Sequence, residues 1–175
     1  MNKLVKLSML VASMIGTSSV IAAPQEGSTN ISGSLTASTC TISLSTTEIN
    51  IPTLTTETIN TTGADQIFNQ SPVTINTKSC SGHPAWFSLD NSNGITTTVH
   101  RGKFKFPEGT TGDPIYFTVS KRGETLLLNV NGSGTTNINA GDEKTMDINI
   151  TRGTGTSTGF EGAYTTALTF NFSYS

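Results

Sequence analysis

A β-sandwich is the fold this sequence predicts, on three observations. Threonine supplies 32 of the 175 residues, and β-branched residues favour strands. Short runs of alternating apolar and polar residues recur, separated by turns rich in Gly, Asn and Ser. After the N-terminal stretch no run shows the apolar period of a helix. A threonine-rich, weakly charged chain also suits a disordered or glycosylated stalk. Against that stand twelve aromatic residues, several in alternating runs, which need a core.

The strands follow in order. Thr39–Leu44 and Glu48–Leu54 predict a first strand, kinked near Ser45-Thr46-Thr47, and Asn60–Asp65 a loop. Gln66–Phe68 and Pro72–Cys80 alternate, with Val73, Ile75 and Thr77 on one face. Ala85–Leu89 runs into the turn Asp90–Gly94. Ile95–Val99 and Lys103–Phe106 predict short strands around Arg101-Gly102. Pro114–Ser120 and Thr125–Val130 flank a hairpin-like turn, and a Gly/Ser/Thr loop extends to Gly141. Lys144–Arg152 places Met146, Ile148 and Ile150 on one face. Tyr164–Tyr174 closes the sequence, with Leu168, Phe170, Phe172 and Tyr174 alternating almost to the last residue.

Residues 1–22 have the form of a secretory signal peptide: Lys3 and Lys6, an apolar stretch from Leu7 to Ile21, and small residues before a cut after Ala22. Ser8, Ser13, Gly16 and Ser18 break that stretch too often for a membrane anchor. A cut after Ala23 would leave Pro24 first, which is disfavoured. Without Lys3 and Lys6 the chain carries eight basic and twelve acidic residues, so no basic footprint for nucleic acid remains. In an exported chain two cysteines most often pair. Linking Cys40 to Cys80 closes a loop of 40 residues, worth about 4 kcal/mol in chain entropy.

No catalytic pattern emerges. HExxH, paired carboxylates and a glycine-framed serine are all missing, and His83 and His100 fall in loops. Two cysteines are a poor zinc site, since structural zinc wants four ligands. No enzyme activity, metal or cofactor is expected. Lys103-Phe104-Lys105-Phe106 could grip a sugar or an anion; a strand with phenylalanines inward and lysines outward is the simpler account. Six asparagines stand in N-x-Ser/Thr patterns, which the abundance of serine and threonine explains.

Four features, in order, resemble bacterial chaperone–usher fimbrial subunits of the type 1 pilin group. Cys40 and Cys80 match that family's early disulfide. Gly27–Leu35 looks like its N-terminal extension running into the first strand. Pro72–Cys80 resembles the stretch that ends on the second cysteine. Tyr174 is penultimate and Gly162 stands fourteenth from the end, as in the family's C-terminal signature. Lys103–Phe106, the region around His83 and Thr151-Arg152 depart from the pattern.

The resemblance implies an all-β, incomplete immunoglobulin-like sandwich lacking its seventh strand. A donor strand from a chaperone or a neighbouring subunit completes it. It implies a leader at 1–22, an N-terminal donor extension at 23–32 and a pilin domain at 33–175. Gln25, Gly27, Thr29 and Ile31 would share the inserted face, with Gly27 at a shallow pocket that admits no side chain. Gly162, Leu168, Phe170, Phe172 and Tyr174 would form the recognition strand beside the groove. The implied partners are a periplasmic chaperone, an outer-membrane usher and other fimbrial subunits. The implied place is a surface fimbria reached through the periplasm. A single-domain adhesin or tip subunit binding a host receptor is the alternative.

Overall fold

The computed structural model describes residues 27–35, 42–51, 53–77, 85–106, 112–138, 143–154 and 164–174. Ten strands and one short helix occur among them: β1 (Gly27–Leu35), β2 (Ser43–Leu44), β3 (Glu48–Ile51), α1 (Thr56–Thr61), β4 (Ile67–Asn76), β5 (Ala85–Asn91), β6 (Gly102–Lys103), β7 (Ile115–Lys121), β8 (Thr136–Ile138), β9 (Glu143–Arg152) and β10 (Thr165–Tyr174). They form two five-stranded sheets, ordered β3-β1-β10-β5-β8 and β2-β4-β9-β7-β6. The architecture is an all-β, immunoglobulin-like sandwich.

Alternation builds the core. Val73 and Ile75 of β4, Ile115, Phe117 and Val119 of β7, and Met146, Ile148 and Ile150 of β9 are buried. Across from them lie Phe87 and Leu89 of β5 and Leu168, Phe170 and Phe172 of β10. Both inner faces are therefore apolar, and burying them on each other supplies the main driving force. Thr77 continues the inward face of β4.

The kink at 45–47 does more than bend a strand. It carries the chain from β2, paired with β4 in one sheet, to β3, paired with β1 in the other. The Ser45 amide donates to Thr74 O and the Thr74 amide to Ser45 Oγ, both at 2.9 Å, which pins the crossing.

Four expectations need correction. Ile95–Val99 is not a strand: Ile95 makes one bridge, to Gly102, and residues 96–99 bend and turn. Asn60 lies in α1, not in a loop. Thr55 caps this helix by accepting the Thr58 amide at 3.0 Å, and Ile59 buries its apolar side. Thr125–Val130 is not a regular strand: it follows β7 through a single bridge, Ser120↔Leu127, and the next residue, Asn131, bridges to Asp90 of β5. The loop to Gly141 holds β8, three residues paired with β5.

Candidate assembly groove

Between β3 and β10 the first sheet has one strand position, and β1 fills it. Ser28–Leu35 run parallel to Thr165–Phe172 in unbroken register. On the other side Gly27–Asn30 run antiparallel to Glu48–Ile51. Without β1, one edge of β10 and one edge of β3 would lack backbone partners, above an apolar floor.

The strand's period of two decides what it buries. Gly27, Thr29 and Ile31 face inward, and Thr29 and Ile31 are buried. Ile31 stands beside Leu168, and the Ile31 amide donates to Thr47 O at 2.8 Å. On the outer face the Ser32 and Thr169 hydroxyls share a hydrogen bond of 3.1 Å. Further along β10, Phe170 and Phe172 stack at 6.2 Å, and both lie against Phe87.

Gly27 sits on the ring of Tyr164. A Cβ there would overlap the ring carbons and lie 2.8 Å from the phenol oxygen. Tyr164 has no room to retreat. It is fully buried, edge-on to Phe104 at 5.3 Å and 6.4 Å from Phe106. Burial also pushes its phenol above the ordinary tyrosine range, so the ring stays neutral.

Thr29 fits less well. Its Oγ1 is buried with no hydrogen-bond partner. Its register neighbour Thr166 directs its own hydroxyl to Asn91 Oδ1 at 2.5 Å. A buried hydroxyl without a partner is a destabilising feature.

Of the residues the sequence singled out, Gly27, Thr29, Ile31, Leu168, Phe170 and Phe172 come together along β1 and β10. The backbone of Tyr174 pairs with Ala85 at the end of β10. Gln25, Cys40, Cys80, His83 and Gly162 lie outside the described residues. Phe104 is buried and Phe106 half-buried, while Lys103 is half-buried and Lys105 exposed. His100 sits in the turn before β6 with its Nδ1 buried and unpartnered. Sequence reasoning missed Tyr164 as the wall of the glycine pocket, and Ile49 and Ile51 as the opposite flank of β1. The alternation of Ile49 and Ile51 was visible, but the sheet they join was not. Among the described residues no His, Cys, Asp or Glu cluster could hold a metal ion, and no helix is long and apolar enough to cross a membrane.

Neither a family model nor a curated protein matches the chain. Its structure is similar to the crystal structure of the P pilus rod subunit PapA. The match covers 79% of this chain and 100% of that one, at a TM-score of 0.57 and 14% sequence identity. At this identity the likeness speaks for the fold.

Proposed function

We propose that this chain is a structural fimbrial subunit that polymerises by strand exchange. The observation that carries the proposal is the seat of β1, a strand from the N-terminal part of the sequence held in the middle of a sheet between β3 and β10. It is the first strand among the described residues, so no other described strand precedes it in the chain. In the isolated chain the groove holds its own strand. In a fibre, the same segment of a neighbouring copy would fill the groove in the opposite direction, antiparallel to β10.

Two features favour exchange over permanent self-occupancy. The β1–β10 ladder is parallel, and parallel pairing is slightly weaker per residue than antiparallel. The buried Thr29 hydroxyl is unpaired, so the intramolecular seat can be bettered. The likeness to PapA, named as a P pilus rod subunit, supports the same reading. On this reading residues 1–22 direct export and Cys40 pairs with Cys80 in the periplasm. A chaperone holds the groove until the usher adds the subunit to a surface fimbria, and the role is structural rather than catalytic.

The test is a chain lacking residues 23–35, mixed with a synthetic peptide covering Ala23–Ala37. The shortened chain should be unstable alone and should regain a cooperative melt with the peptide. The same peptide carrying Gly27→Arg should fail, because an unpaired charge would be buried against Tyr164. A shortened chain that melts like the full one, and ignores both peptides, would refute the proposal.

A further inference from the structure

On the face of the second sheet that points away from the core, the strands do not present a flat solvated surface. Thr118 of β7 and Asn149 and Thr151 of β9 point outward, yet each is about 5% exposed. They form the floor of a concave pocket of about 440 Å³. Glu124, Thr125 and Leu127 wall it on one side, and Asp65, Ile67 and Gln70 on the other. Gln70, Asn149 and Thr118 line up across three strands in register.

Several independent features converge there. Asn149 Oδ1 is buried with no partner. An orphaned buried acceptor works against the fold and calls for an explanation. Asp65 is the one non-glycine residue with positive φ, 63°, among those described. The β4–β9 ladder shifts register between Ile67 and Asn69, a bulge that leaves Ile67 56% exposed at the rim. Tyr116 donates to Asp65 Oδ1 at 2.6 Å, and Arg101 pairs with the same oxygen at 3.0 Å while stacking over the Tyr116 ring. A smaller pocket of about 170 Å³ shares Arg101 and Tyr116, and its Thr96 Oγ1 is likewise buried and unpartnered.

From this arrangement we infer that the outer face of the second sheet binds a neutral saccharide. The pocket suits a ligand of one or two sugar rings. Asp65 and Arg101 neutralise each other, and Glu124 pairs with Lys121 at 3.6 Å, so the site has no surplus charge with which to select an ion. Amides and hydroxyls from Gln70, Asn149 and Thr118 offer mixed donors and acceptors, the complement of ring hydroxyls. The Asn149 amide carries one acceptor and two donors. Ile67 and Leu127 give the C–H face of a ring an apolar edge. A protein partner is the weaker fit. Ile67 and Leu126 are the only large apolar side chains exposed among the described residues, short of the aromatic and apolar core such interfaces need.

The experiment is heteronuclear NMR on the full isotope-labelled chain. Methyl glycosides of mannose, galactose, glucose and N-acetylglucosamine, and lactose, are added to millimolar concentration. At least one should move the signals of Gln70, Arg101, Thr118 and Asn149 in a saturable way. Asn149→Leu should weaken that binding roughly tenfold or more, the loss of about one good polar contact, while leaving the melting temperature unchanged or raised. A merely structural Asn149 would give a lower melting temperature instead. Gln70→Ala, at an exposed position, should weaken binding with the fold intact. Three results would overturn the inference: no glycoside moves these signals, the shifts map elsewhere, or the signals respond only to protein concentration, which would mark contact between copies.

Discussion

Replacing Gly27 with alanine should loosen β1 from its N-terminal end. The added methyl carbon would meet the Tyr164 ring well inside ordinary contact, 2.8 Å from the phenol oxygen where at least 3.4 Å is usual. Tyr164 is fully buried and wedged by Phe104 and Phe106, so the strand must lift. Overpacking of this kind costs about 1–3 kcal/mol. The N-terminal half of β1 is held by four register pairs to β3 and by Thr29, whose hydroxyl is unsatisfied. The penalty is thus comparable to what holds that half in place. Ile31, whose full burial is worth about 1.5–3 kcal/mol, should keep the second half seated. The assay is amide hydrogen exchange. The Ser28 amide, bonded to Tyr164 O at 3.3 Å, should exchange roughly five- to a hundredfold faster. The Ile31 amide should change much less, and amides of β7 and β9 not at all. Equal protection of Ser28 in both proteins, with equal melting temperatures, would refute the pocket argument.

Three further outcomes are expected. Thr29→Val removes the unpaired hydroxyl and should stabilise the isolated chain by about 1 kcal/mol in a denaturant titration; a loss of stability would mean the hydroxyl has a partner. Phe172→Asp places a carboxylate against Phe87 and Phe170 and should abolish a stable complex with a periplasmic chaperone in co-purification; full recovery of the complex would count against β10 as the recognition strand. Alkali should destabilise the fold: Tyr116 and Tyr164 both have phenols raised above the ordinary value by burial, so the unfolded chain loses those protons first. Stability should be flat below the ordinary phenol pKa of about 10 and fall as pH rises beyond it; melting temperatures that stay level into strong alkali would contradict this.

The longest strands were legible because alternation over many residues fixes both a strand and its buried face. β9 and β10 follow the pattern almost residue for residue, and Val73 and Ile75 share the inward face of β4, which Thr77 continues past its end. The spacing of Gly27, Thr29 and Ile31 likewise fixes their common face, but a period of two names a face and not a neighbour. It could not say that β1 lies parallel to β10 in its own chain's groove. Short elements escaped for a related reason. Six residues of α1 make no helical period, and Thr55 as its cap was the only local sign. β8 has three residues in a composition otherwise typical of loops. The saccharide pocket was illegible in principle: Asn149 alternates with buried isoleucines, which predicts a solvent-facing side chain. It is nonetheless buried, on the floor of a pocket that Glu124, Thr125 and Leu127 help to wall.

Electron microscopy of cells lacking the gene separates the two roles the sequence allowed: lost fibres for a shaft subunit, intact fibres with lost adhesion for an adhesin or tip part.

The central claim is that β1 of one copy can complete another copy. Its most direct test is native mass spectrometry of the full chain, after removal of residues 1–22, incubated with a copy lacking residues 23–35. The account expects a stable species with the mass of one full and one shortened chain, which disappears when the full chain carries Gly27→Arg. A full chain that keeps its own β1 and never captures the shortened copy, under conditions where an Ala23–Ala37 peptide does fill that groove, would contradict it.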